Sequence, residues 1–533
     1  MEFEDTAKVT RLVVFAFWAV VLIGIPFWWK TTEIYRANLP FSEIEAWYSK
    51  QACDLVMPTQ FTIFIPKSLN IQQTTLDIND SLKIALSNKK YNYNFPIEVK
   101  VEVADGYADT NNVPISSYFI RIEKGEKQEA FVGNDRISVM KLKELSSSRI
   151  AEALSTFIPT VYLDENEKIG GTACHVDTKT KNDIASMRTL QYSSKYETTF
   201  SLMNNNPENV KMDWDIREAV DQYLQPFLNE ISVVSNFTIN SQIQNYAPLT
   251  LKPNYREITG KPNYYYFQPQ HLPHFVNSAE WNLASTITSH LSINFILYVP
   301  SQEESPLRIH DSKDQPLRTN AFLVPRWGGI VIKNAPKTAK GEYRFTSNGL
   351  EPVMKLFLSQ LRGLIGIRDH DESIASLPHL DQIYFENAEK TGITTLEKDN
   401  LIRIRTVENV VNTISTLKSL AQLVEEIPNM VVEDHISYKV HASLNALASV
   451  HEVLDVEKDY IKALQTSIEA IELAEMAFFD PTMVSMLYFP DEHKYAIYMP
   501  LFVPISVPLL MALLKELKKY KEQRKQSSKD KKE

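Results

Sequence analysis

Alternation of apolar and polar positions marks the first extended segments: Phe61, Ile63 and Ile65, then Ile97, Val99, Val101 and Val103, then Tyr118, Ile120 and Ile122. Between them, residues 74–88 carry helical spacing. So do residues 213–231, where Ile216, Val220, Tyr223, Leu224, Phe227, Leu228 and Ile231 share a face. Val233–Ile239, Ile293–Val299, Ala321–Val324 and Ile330–Ile332 add strands, and Glu351–Ile367 reads as a helix with Pro352 near its first turn. Strands alternating with helices predict a mixed α/β core, placed here at residues 31–390. From 394 to 494 the 3.6-residue period takes over, in Leu401–Leu423, Ile436–Leu454 and Val456–Phe479, with breaks near Pro428 and Asp455. This predicts a set of antiparallel helices. Asp480 before Pro481 has the character of a cap and first residue of one more short helix.

Two runs at the ends differ from everything between them. Leu12–Trp29 is 18 residues without a charge, and Tyr495–Leu514 is 20. Both meet the length for crossing a bilayer as a helix. A cleaved signal peptide is the alternative for the first, but Trp28, Trp29 and Lys30 stand where a small-residue cleavage site belongs. The tail Lys515–Glu533 carries nine Lys or Arg against four acids, which places it on the cytoplasmic side. With two spans, residues 1–11 are then cytoplasmic as well. The expected fold class is an α/β lumenal domain with an additional α-helical region, anchored by one transmembrane helix at each end (12–29 and 495–514).

Composition narrows the chemistry. The chain has 533 residues and a net charge of −10, so a general attraction to nucleic acid is excluded. Its 14 glycines and 27 prolines follow no period. Two cysteines, Cys53 and Cys174, allow one disulfide at most and no cysteine-rich metal site. Cys174 and His175 are adjacent, and neighbouring side chains diverge in most backbones, which argues against a nucleophile and its base. A disulfide to Cys53 or a quiet thiol is the alternative. His271 and His274, and the stretch Asp369, His370, Asp371, Glu372 with His379 and Asp381, lack a complete metal-ligand set. No G-x-S-x-G, H-E-x-x-H or P-loop is present. No catalytic residue, metal or cofactor is assigned.

Four features remain as interaction or processing candidates. Pro500, Pro504 and Pro508 recur at spacing four, so they share a slowly drifting face and leave carbonyls without their usual donors. That face suits a partner helix, or simply a kinked segment. Arg326, Trp327, Gly328 and Gly329 combine two residue types favoured in interface hot spots with a pair that permits a tight turn. A hairpin with a packed tryptophan is the plainer reading. Asn79 and Asn236 each begin an N-x-S/T glycosylation acceptor, with Asn236 ranked first because Asn79 falls in a predicted helix. Lys529 and Lys531 stand fifth and third from the C-terminus, the spacing of a retrieval signal for the endoplasmic reticulum.

Specific segments carry a family resemblance. GIPFWWKTTEIYRANLP (24–40), EWNLASTITSHLSINFILYVPSQ (280–302), TNAFLVPRWGGIVIKN (319–334), SQLRGLIGI (359–367) and FFDPTMVSMLYFPDEHKYAIYMPLFVPISVPLL (478–510) resemble, in order, segments of the phosphatidylinositol-glycan class S family. The resemblance implies a non-catalytic subunit of the glycosylphosphatidylinositol (GPI) transamidase, an endoplasmic reticulum membrane complex. That complex removes a C-terminal signal from a proprotein and joins the new end to a preassembled GPI glycolipid. The partners implied are the other subunits, including a caspase-like one that carries the catalytic Cys and His, with glycolipid and proprotein met through the complex. A lumenal body held at both ends would be oriented for such assembly. Two other classes stay open: a lumenal glycolipid- or glycoprotein-modifying enzyme, and a stand-alone membrane tether or chaperone.

Overall fold

The computed structural model describes residues 2–32, 35–50, 52–87, 96–103, 113–174, 189–257, 260, 262–276, 281, 291–336, 341–368, 376–427, 430–485 and 491–529. They form two compact units: Lys50–Asn412 with Ala446–Glu469, and Met1–Ser49 with Thr413–Asn445 and Ala470–Glu533.

Among the described residues all the strands lie in the larger unit. In chain order they are β1 (Thr59–Ile65), β2 (Ile97–Val103), β3 (Ser117–Lys124), β4 (Glu129–Val132), β5 (Ile137–Leu142), β6 (Lys195–Asn204), β7 (Val210–Trp214), β8 (Asn236–Asn245), β9 (Asn254–Arg256), β10 (Tyr264–Phe267), β11 (Leu291–Val299), β12 (Leu307–Ile309), β13 (Ala321–Val324), β14 (Gly328–Ile332), β15 (Gly341–Phe345) and β16 (Gln382–Phe385).

A six-stranded sheet has the order β16-β4-β5-β3-β1-β2 and is parallel except where β4 meets β5. The alternation in β1 is the burial pattern itself: Phe61, Ile63 and Ile65 are buried and the residues between them half-buried. Their face packs on Ile78 and Leu82 of the Ile71–Ser87 helix and on Ile150, Leu154 and Phe157 of the Ser147–Val161 helix. A five-stranded sheet has the order β13-β14-β11-β6-β8, with only β13 antiparallel. Its central strands β6 and β11 are buried at nearly every position, as expected where both faces of a parallel sheet are covered. Phe200 and Phe295 stack at 5.3 Å across them, and Phe357 of the Ser347–Leu364 helix lies 5.1 Å from Phe295. Two smaller sheets, β7-β15 and β9-β10-β12, complete the unit.

Several element boundaries differ from the sequence reading for local reasons. The helical stretch 213–231 begins as strand β7 and then divides into helices Ile216–Tyr223 and Gln225–Ile231. Pro226 supplies no N–H to continue the first helix and sits well at the start of the second. β8 starts at Asn236 because the N–H groups of Val234 and Ser235 turn back onto the Ile231 carbonyl, at 2.8 and 3.0 Å. The Ser347–Leu364 helix begins before Pro352, where Thr346 Oγ1 accepts from the Gly349 N–H at 3.3 Å. The break near Asp455 is a wide turn at Val453–Glu457 followed by Lys458 at φ 56°.

Three long helices follow in the chain, Thr395–Glu426, Asp434–Glu452 and Tyr460–Phe478. In the smaller unit Ser443 Oγ donates to the Ala470 carbonyl at 2.7 Å. Arg36 closes the end of the Thr395–Glu426 helix: its guanidinium donates to the carbonyls of Val424 at 2.9 Å, Met430 at 3.1 Å and Ile427. Asp480 accepts from the Thr482 N–H at 3.1 Å and caps the short Pro481–Ser485 helix. Burial alone would raise the Asp480 pKa, but hydrogen bonds from His435, Thr482 and Lys439 outweigh it and hold the carboxyl well below the usual range.

One expectation is corrected. Among the described residues no helix is long and apolar enough to cross a membrane, so the transmembrane helix expected at each end is not shown. The apolar runs lie inside longer helices, Glu2–Thr32 and Asp491–Lys529, whose other residues are largely charged or polar.

Candidate interaction site

Residues 321–332 form the β13–β14 hairpin; Arg326 and Trp327 lie in its turn, and Gly328 and Gly329 begin β14. Arg326 is exposed, with φ 57°; Trp327 is half-buried and packs on a core that includes Met203, Phe275, Tyr298 and Ile330. The two glycines follow from close packing. A Cβ on Gly328 would lie 1.8 Å from the Asn294 carbonyl oxygen of β11, and one on Gly329 would lie 2.0 Å from Gln360 Oε1. Gln360, projecting from the Ser347–Leu364 helix, uses Nε2 to donate to the carbonyls of Phe322 at 3.0 Å and Ile330 at 3.3 Å. The hairpin is thus clamped between strand and helix. At the turn Arg326 is exposed and Trp327 half-buried.

The other singled-out residues lie apart from this turn. Asn236 is the exposed first residue of β8, and Asn79 is half-buried within the Ile71–Ser87 helix. Cys53 and Cys174 are bonded, S–S 2.02 Å with Cα atoms 4.9 Å apart, which joins the segment before β1 to the end of the Asp164–Ala173 helix. Cys174 therefore carries no thiol here, and His175 lies outside the described residues. His271 and His274 sit on the Pro269–His274 turn, where His271 Nδ1 accepts from the Gln268 N–H at 3.4 Å. Among the described residues no group of His, Cys, Asp and Glu is arranged to hold a metal ion. Asp369, His370, Asp371 and Glu372 are outside the described set; Asp381 leads into β16, its N–H on the Gln128 carbonyl at 2.7 Å. Pro500, Pro504 and Pro508 are exposed in the Asp491–Lys529 helix; Lys529 ends that helix, and Lys531 lies outside the described residues.

Two polar clusters escaped the sequence reading, the first because Asp399 lies 263 to 283 residues from its partners in the chain. Asp399 is fully buried; it receives Arg136 through Nε at 2.8 Å and Nη2 at 2.7 Å, the Tyr118 hydroxyl at 3.2 Å and the Ser116 N–H at 3.3 Å. Burial, with the Asp399 charge adding to it, pushes the Tyr118 hydroxyl well above its ordinary pKa. His310, also fully buried, lies between the Tyr264 hydroxyl at 3.2 Å and Asp314 at 2.7 Å, and Arg256 closes on the other Asp314 oxygen. The His310 bond, followed by that from Arg256, holds the Asp314 carboxyl below its usual range. A cleft of about 210 Å³ opens near Phe385, Glu386, Glu389 and Gly392. Arg362, which lines it, is committed to Glu397 at 2.7 Å and to the Gly392 carbonyl. These arrangements hold loops and helices in place: Asp399, Asp314 and Glu397 are each paired with an arginine.

Two large sheets, mostly parallel and packed with helices, define a mixed α/β protein. The match to known proteins is more specific. Residues 15–523 match the family model of the phosphatidylinositol-glycan biosynthesis class S protein, and the chain belongs to that family. It is 32% identical to the GPI-anchor transamidase component PIGS of Bos taurus, over 93% of each chain. The Homo sapiens protein of the same name is 30% identical, also over 93% of each. The GPI transamidase component PIG-S homolog of Schizosaccharomyces pombe is 28% identical over 92% of this chain and 81% of its own.

Proposed function

We propose that this chain is a non-catalytic, scaffolding subunit of a GPI transamidase complex in the endoplasmic reticulum, with the catalytic Cys and His on another chain. The observation that carries the reading is the family match across nearly the whole sequence, with relatives named as transamidase components. The Cys53–Cys174 bond supports an oxidising lumen around the larger unit. The buried ion pairs support a structural use for the polar residues most able to do chemistry. In this reading glycolipid and proprotein meet the chain through the assembly, and Arg326 with Trp327 forms part of a subunit contact.

The test is purification of the tagged chain from mild-detergent extracts of native membranes, with mass spectrometry of proteins recovered at stoichiometric levels. A cysteine-protease subunit among them is the expected result. Recovery of the chain alone across several detergents would defeat the reading. Side is tested separately: Asn236→Gln should remove one glycan-sized mobility shift, whereas Asn79→Gln, in a half-buried helical position, should leave mobility unchanged. No glycan on Asn236 would count against lumenal exposure.

A further inference from the structure

Three of the four outer strands of the two large sheets carry features that discourage pairing with a foreign chain. β13 and β16 have four residues each, and Pro325 and Arg326 follow β13 directly. β2 presents Glu98, Lys100 and Glu102 at its exposed positions. β8 has none of these protections. Its 10 residues, NFTINSQIQN, contain no proline and no charge. Among the described residues no strand lies beyond it.

The edge is also held in a fixed register from within. β8 pairs with β6 in parallel over its full length, from Lys195 opposite Asn236 to Asn204 opposite Asn245. Gln242 Nε2 donates to Ser201 Oγ at 3.0 Å, Asn240 reaches Glu197, and the Phe237 ring stacks on Tyr196 at 5.4 Å. The Asn236 N–H donates to the Ser194 carbonyl at 2.9 Å. In a parallel ladder every second residue faces the same neighbour, so Phe237, Ile239, Ser241, Ile243 and Asn245 aim their N–H and C=O groups outward.

We propose that the outer edge of β8 receives an extended, uncharged segment of a partner protein, which continues the five-stranded sheet through main-chain hydrogen bonds. The inference rests on the assembly reading above. The chemistry of the occupant follows from the strand. One face carries Thr238 beside Asn240 and Gln242, whose amides turn onto β6, and suits Ser or Thr opposite. The other offers Ile239 and Ile243, the latter 41% exposed, which suit an aliphatic residue. With no charge on β8, neither an acidic nor a basic segment gains by binding there.

The experiment places a photoreactive amino acid at Ser241, at Ile243 and, as a control, at Lys100 in the full chain purified with its partners, followed by mass spectrometry of cross-linked peptides. Residues 241 and 243 should cross-link to one stretch of one partner polypeptide, at sites two residues apart, and residue 100 should not. Cross-links to a second copy of this chain, or none while partners remain bound, overturn the proposal. If the chain purifies alone, the assembly reading itself has failed, which is a different result. Ser241→Pro removes an outward N–H without breaking the ladder to β6, and should lower partner recovery about tenfold. Ser241→Ala keeps that N–H and should leave recovery unchanged. Unaltered recovery with the proline variant also overturns the proposal, and the cross-links remain decisive if that variant does not fold.

Discussion

At residue 328 the obstacle to any side chain is the backbone of β11, whereas at 329 it is the movable end of Gln360. Gly328→Ala should therefore cost more stability than Gly329→Ala, about 3 kcal/mol against about 1–2 kcal/mol, read as denaturation midpoints. Equal costs would contradict this packing. Arg326→Ala, at an exposed turn position, should leave the midpoint where it is, so any loss of partner recovery belongs to the surface. Asp399→Asn leaves the Arg136 charge half-buried without its counterpart and should cost about 3–5 kcal/mol. None of Asp399's importance was legible in the sequence. Its side-chain partners Arg136 and Tyr118 lie 263 and 281 residues away, and only the fold brings them together. The Arg-Trp-Gly-Gly motif was legible as distinctive, but the sequence could not separate glycines needed for contact from glycines needed for packing.

Elements were legible where one face is buried and the other is not. β1 and β3 follow their period of two because that is their burial pattern. β6, buried on both faces, has no alternation to detect, and short strands such as β12 and β16 owe their state to neighbours remote in sequence. Helix ends depended on single residues such as Pro226 and Arg36. Arg36→Met should cost about 1–2 kcal/mol by leaving the carbonyl end of the Thr395–Glu426 helix uncapped, measured by thermal unfolding. His451, in the last turn of the Asp434–Glu452 helix, has its pKa pushed down chiefly by burial, so the folded state favours neutral imidazole. As pH falls through about 6.5 the unfolded chain takes up the proton first, and this contribution to stability, complete above that pH, is lost below it. His451→Gln should flatten the change in unfolding midpoint between pH 5 and 7.5; an unaltered slope would assign it elsewhere.

At the scale of the whole molecule, hydropathy was a poorer guide than family resemblance. Runs without charge suggested spanning helices that the described fold does not contain, while five quoted segments pointed to the family that the full-length match establishes. The Cys53–Cys174 bond, across 121 residues of sequence, should contribute roughly 4–5 kcal/mol by restricting the unfolded chain, and the double Ser variant should lose that amount in non-reducing denaturation. The same bond makes residues 53–174 a covalent ring that contains five strands of the six-stranded sheet. The sixth, β16, is translated more than 200 residues after the ring can close and must add to the outer side of β4. A nascent chain arrested before residue 382 would therefore hold a closed ring around an unfinished sheet, a period when that edge needs a chaperone more than the finished protein does.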